Sequence, residues 1–130
     1  MLPPRLRATL IRAEARRNGV YDFTHYHSRI HEVLGIARGS AKIRFGGGLG
    51  RSIDMKAGDV AVLPAGTGHQ RLAASPDFLG VGAYPPFGTY DLCREPDDRV
   101  AALQTIPHVR RPDQDPVYGA KGPLNELWGR

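Results

Sequence analysis

Residues 25–32 read HYHSRIHE, so three histidines and a glutamate fall within eight positions, and His69 closes a second, turn-rich stretch, GDVAVLPAGTGH (58–69). Imidazole and carboxylate groups are the side chains that hold divalent transition metals. In an extended segment His25 and His27, two residues apart, point off the same face, and both can reach one ion. Glu32 follows after a short turn and opens the next strand, where it shares a face with Leu34 and Ile36. His31 points the other way. It is either an alternative ligand or a group at the rim of the site. If residues 58–69 neighbour the first segment, His69 supplies a fourth donor. Such a set suits Fe, Mn, Ni, Co, Cu or Zn, and the affinity order alone does not choose among them. An ion with an open position polarises a substrate oxygen, activates water or, if it is iron or copper, handles dioxygen. Metal ligands are not themselves acid–base catalysts, so a proton-transfer group must come from elsewhere, and His31 and Tyr84 are the candidates. Tyr21, Phe23, Ile43 and Phe45 either line an apolar pocket above the ion or simply fill the interior.

These residues need strands to position them. VYDFTHYH (20–27) alternates, which puts Tyr21, Phe23, His25 and His27 on one face. EVLGIARGSAKIRF (32–45) is rich in β-branched residues and broken by Gly35 and Gly39. GGGLG (46–50) reads as a flexible turn, RSIDM (51–55) as a strand, Lys56–Asp59 as a turn and VAVLP (60–64) as a buried strand. AGTGH (65–69) turns again, and DFLGVGAY (77–84) is a further apolar strand. Before them, residues 5–17 suggest a short amphipathic helix with Leu6, Leu10 and Ile11 on one side, ended by Asn18-Gly19. After Tyr84 the chain is polar and dotted with proline, with anchors at Phe87, Tyr90, Val117, Tyr118, Leu124, Leu127 and Trp128. It reads as an extended arm lying over the domain or a neighbouring subunit. The expected organisation is an Arg-rich segment (1–19), an all-β barrel (20–90) and a C-terminal arm (91–130). At least six short strands without long intervening helices predict an antiparallel sandwich or small barrel.

Composition narrows the function classes. The chain has 130 residues, enough for one domain with one core, and its 16 glycines and 11 prolines favour many turns over long helices. Cys93 is the single cysteine, which excludes an intrachain disulfide and makes a reducing cytoplasm the simple expectation. It has no CxxC partner, so a redox role is not expected. No apolar run approaches the roughly 20 residues of a membrane helix. The N-terminus lacks the continuous apolar stretch of a signal peptide. Net charge is +5, and much of the excess is Arg5, Arg7, Arg12, Arg16 and Arg17. Such a cluster could touch nucleic acid or an acidic partner; a solvated basic face is the favoured reading, and no nucleic-acid-binding motif accompanies it. In FGGGLG the glycines precede a strand, so they make a hairpin and not a phosphate-binding loop, which requires a following helix. His108, in the proline-rich arm, is expected at the surface.

His25–Gly39 reads H-x-H-x4-E-x6-G, and Gly58–His69 reads G-x5-P-x-G-x2-H. The two segments resemble the first and second motifs of the cupin superfamily. The matching positions are His25, His27, Glu32, Gly39, Gly58, Pro64, Gly66 and His69. THYHSRIHEVLGIARGSA, AGDVAVLPAGTGHQRL, VGAYPP and DPVYGAKGPLNELW extend the resemblance to small bacterial single-domain cupins with no assigned reaction. One departure is Ala73, where an asparagine often stands. The resemblance implies a double-stranded β-helix barrel in which His25, His27, Glu32 and His69 bind one divalent transition metal, and a homodimer. It implies a metal-dependent enzyme acting on a small organic molecule by dioxygenation, isomerisation or decarboxylation. The alternative is a non-catalytic module that binds or senses a small molecule.

Overall fold

The computed structural model describes residues 12–17, 20–85, 87–94 and 98–128. Seven strands are present among them: β1 (Arg12–Arg17), β2 (Glu32–Arg38), β3 (Ser40–Phe45), β4 (Arg51–Lys56), β5 (Val60–Leu63), β6 (His69–Ala74) and β7 (Leu79–Tyr84). They form two antiparallel sheets, of order β1-β7-β2-β5 and β4-β3-β6.

The sheets are joined by three bent ribbons. β2 runs into β3 at Gly39, β4 into β5 at residues 57–59, and β6 into β7 at residues 75–78. The β2–β3 ribbon is central. β3 pairs with β4 and β6, and β2 pairs with β5 and β7, so each ribbon crosses from one sheet to the other beside its neighbour. The three corners lie against one another. Ser40 N–H donates to Ser75 Oγ at 2.9 Å, Ala57 N–H to the Gly39 carbonyl at 3.0 Å and Gly58 N–H to the Ile36 carbonyl at 2.9 Å. Gly39 is required twice over. Its φ is +66°, and a Cβ there would stand 2.3 Å from Ser75 Oγ and 3.0 Å from Phe78 Cα. Crossing antiparallel ribbons of this kind make a double-stranded β-helix, the all-β architecture the motifs predict.

Alternation along each strand fills the space between the sheets. Leu34 and Ile36 of β2, Ala41 and Ile43 of β3, Met55 of β4 and Leu63 of β5 meet Val20 and Phe78 in one apolar cluster, with Phe45 and Ala61 at its margin. Ile43 is 0% exposed and lies within this cluster.

Three expectations are corrected. Arg12–Arg17, predicted helical, is a strand whose backbone pairs with β7 from Arg12↔Tyr84 to Arg17↔Leu79. The tertiary ladder overrides a weak local helical preference. The rest of that expected helix, and its Asn18-Gly19 stop, lie outside the described residues. Residues 20–27 are extended but carry only bridge contacts at His25 and Tyr26, because their hydrogen bonds go alternately to β6 and to the loop at Cys93. The C-terminal arm is not wholly extended. It contains two short α-helices, α1 (Arg99–Thr105) and α2 (Pro123–Leu127), and a 3-10 turn at Ile106–His108. Ala102 and Ile106 pack with Tyr26 and Cys93 in a second small core. No helix among the described residues is long and apolar enough to cross a membrane.

Candidate metal centre

Residues 20–27 run alongside the start of β6. Arg71 N–H donates to the Tyr21 carbonyl at 2.9 Å, and His25 and His69 exchange backbone hydrogen bonds at 3.1 and 2.9 Å. His25 and His69 thereby stand side by side, with ring centroids 4.0 Å apart. His27, two residues on, points the same way. Each of the three imidazoles offers a ring nitrogen lying within 4.8 Å of the others, and all three are buried. Glu32, at the start of β2, reaches in from the other sheet. Its Oε2 is 3.1 Å from both His27 Nε2 and His69 Nε2.

The other nitrogen of each ring is held by the main chain. His25 Nδ1–H donates to the Phe23 carbonyl at 3.0 Å, His69 Nδ1–H to the Thr67 carbonyl at 2.9 Å and His27 Nδ1–H to the Asp91 carbonyl at 2.6 Å. A carbonyl can only accept, so every Nδ1 carries a proton and every Nε2 faces the cluster. Backbone oxygens commonly orient metal-binding imidazoles in this way. The arrangement therefore fits a transition ion: three imidazole nitrogens and one carboxylate, with ring orientations already set.

The electrostatics follow from this crowding. Burial and the neighbouring His69 ring push His25 down to about 4. Burial also disfavours a charged His27, but hydrogen bonding and proximity to Glu32 outweigh it and raise its pKa. Burial alone would raise Glu32. The hydrogen bonds from His27 and His69 reverse that and hold it down to about 2. Without an ion, then, Glu32 is an anion lying 3.1 Å from both the His27 and His69 rings, and a cation held here would meet a negative charge.

Two further features shape the centre. Tyr84 O–H donates to Glu32 Oε1 at 3.2 Å, and its ring stands edge-on to His27. A Cβ at Gly82 would lie 2.7 Å from Glu32 Oε1, so glycine on β7 makes room for the carboxylate. Tyr21 and Phe23 stack at 4.8 Å, and each meets the His25 ring edge-on. They extend the face carrying the histidines, as the alternation predicts.

His31 is placed elsewhere. Its Nδ1 accepts the Ala65 N–H at 2.8 Å and its ring meets Trp128 edge-on at 4.5 Å. It is buried, with its pKa lowered by that burial, and it does not join the cluster. Of the two proposed proton-transfer groups, Tyr84 alone touches the site. Phe45 packs against the apolar core. His108 is exposed, as expected. Gly82 and Asp91 were not singled out by the sequence, and Tyr90 was read only as an anchor of the C-terminal arm. Glycine in an apolar strand carries a general signal of close approach, but nothing local ties residues 90–91 to His27.

Fold and donor set together define a cupin-like double-stranded β-helix protein with three buried histidines grouped as a metal site would need. Comparison with known proteins adds a family. The chain is 44% identical over 110 residues to the uncharacterized protein YjlB of Bacillus subtilis (strain 168), across 84% of this chain and 67% of YjlB. It belongs to the YjlB family. Among solved structures it is similar to an uncharacterized conserved protein with a double-stranded β-helix domain from Klebsiella pneumoniae, at 22% identity and a TM-score of 0.48, covering 64% of this chain and 72% of that one. No family model matches the chain.

Proposed function

We propose that His25, His27, His69 and Glu32 hold one divalent transition metal, and that the protein acts through it on a small organic molecule. The observation that carries this reading is the fixed orientation of the three imidazoles. Each gives its Nδ1 proton to a backbone carbonyl and turns Nε2 toward one shared point beside Glu32. An ordinary buried histidine needs one hydrogen-bond partner per nitrogen. Three bound to carbonyls and converging on one another satisfy a cation better than they satisfy themselves.

A bound ion would supply a Lewis acid and, if it is iron or copper, dioxygen chemistry. This chain's own residues would do the rest. Tyr84, hydrogen-bonded to Glu32 Oε1, holds a proton at the edge of the centre and orients the carboxylate. Tyr21 and Phe23 give the His25 side an aromatic wall suited to an apolar or aromatic part of a ligand. Dioxygenation, isomerisation and decarboxylation of a small acid or phenol all fit such a site. A second reading, a non-catalytic binding or sensing module, is favoured by the position of His31, which leaves Tyr84 as the proton-transfer candidate at the cluster.

The test is metal content of tag-free protein by elemental mass spectrometry, beside a His25→Ala/His27→Ala variant. Near-stoichiometric metal that the variant loses supports the reading. Metal-free protein after reloading with several divalent ions overturns it. With metal present, turnover across a panel of small acids and phenols separates enzyme from binding module.

A further inference from the structure

We infer that Asp91 is a positioning residue for the metal centre, because its side chain fixes the carbonyl that orients His27. The inference rests on the metal-centre reading above.

The three imidazoles are not held equally. His25 and His69 each donate to a carbonyl two residues earlier in their own segment, so the local backbone orients them. His27 donates to a carbonyl 64 residues away, in a loop with no regular secondary structure. A carbonyl so remote orients a ring only if its own peptide is fixed.

The Asp91 carboxylate supplies that fixation. It accepts the Ser28 N–H at 3.0 and 3.2 Å, the Ser28 hydroxyl at 2.5 Å, the Arg29 N–H at 3.1 Å and the Cys93 thiol at 3.2 Å. One residue therefore grips residues 27–29 from both ends, with its carbonyl on the imidazole and its carboxylate on the next two amides. Paired backbone hydrogen bonds between Tyr26 and Cys93, at 3.0 and 2.9 Å, set the register of the two segments. The Tyr90 ring packs on His27 at 5.1 Å. The carbonyl could come from any residue type. The clamp requires a short side chain with two acceptor oxygens, which aspartate provides.

Removing the carboxylate frees the peptide, and with it the His27 ring. Loss of an orienting partner costs metal sites about 10- to 100-fold in affinity. The experiment compares wild type with Asp91→Ala, Asp91→Asn and Cys93→Ala, using Co2+ and Zn2+ as probes. Chelator competition gives the dissociation constants, the Co2+ visible spectrum reports ligand geometry, and NMR of the imidazole nitrogens in metal-free protein reports the His27 ring. Expected is a 10- to 100-fold affinity loss with an altered Co2+ spectrum for Asp91→Ala, a smaller loss for Asp91→Asn, and little change for Cys93→Ala, which removes one contact of the clamp. Folded Asp91→Ala with unchanged affinity and unchanged His27 signals overturns the inference, since Asp91 then merely secures a loop. Should Asp91→Ala not fold, Asp91→Asn decides by the same readings. If wild type binds neither ion, and no other divalent ion on reloading, the metal-centre reading fails. The His27 nitrogen signals of the variants then still decide whether Asp91 orients the ring.

Discussion

Between the same two sheets lie two interiors. Val20, Leu34, Ile36, Ile43, Met55, Leu63 and Phe78 form a dry one. At the other, His25, His27, Glu32 and His69 are just as buried, yet every one is polar and hydrogen-bonded. β2 serves both, with Glu32 at one end and Leu34 and Ile36 on the same face beyond it. In the dry interior a side chain matters through its volume. In the polar one it matters through the direction of a single atom. A residue of the right size with the wrong nitrogen exposed would pack there and do nothing.

The largest expected effect tests the dry side. Phe78→Ala, at a residue 1% exposed, should destabilise the fold by about 3–5 kcal/mol in denaturant melts. Metal affinity of the folded fraction should stay within a few-fold. A comparable loss of affinity would mean that the two interiors are one. Next, excess metal at about 100 times its dissociation constant should stabilise the wild type by about 2.7 kcal/mol, a rise of roughly 10 °C in Tm. His25→Ala/His27→Ala should show no such rise, read by differential scanning fluorimetry.

A pH effect sharpens the contrast further. In metal-free protein His25 is depressed to about 4 from 6.5, so the unfolded chain takes up its proton first as pH falls. Stability should therefore drop between pH 6.5 and 4, and His25→Gln should flatten that limb. Glu32, depressed to about 2 from 4.5, adds a second loss as pH falls from 4.5 toward 2. His27 works in the opposite direction. Its pKa is raised, so its contribution is present below 6.5 and is lost as pH rises through the raised value. A metal-free Tm that stays flat from pH 7 to 4 would contradict these assignments. The smallest expected effect is Tyr84→Phe, which removes the hydroxyl donor to Glu32 and should cost about 1–2 kcal/mol in urea unfolding of the metal-free protein.

The donor set was legible because two periodicities coincide with chemistry. Alternation put His25 and His27 on one face and Glu32 beside Leu34 and Ile36, and the turn residues Gly39, Gly58 and Gly66 punctuated the ribbons. All three glycines adopt positive φ. The same argument points His31 away from Glu32, and its ring lies against Trp128. Arg12–Arg17 was misread because pairing with β7 is not encoded in those six residues. The grip of Asp91 on Ser28, Arg29 and His27 was invisible for the same reason, since no local pattern reports a contact across 64 residues. What sequence shows is which face a side chain takes. Which distant peptide meets that face is set by topology.

The backbone bridge between His25 and His69 also bears on how the centre comes into being. Along the chain its two partners are separated by strands β2 to β5, so a long loop must close before they meet. That closure costs chain entropy in advance of any contact formed at its ends. Folds dominated by such distant pairings fold slowly. An ion has no complete set of ligands until the ribbons have crossed, so it cannot template the early chain. His25, His27, Glu32 and His69 are thus brought together by the completed fold and by no shorter piece of it.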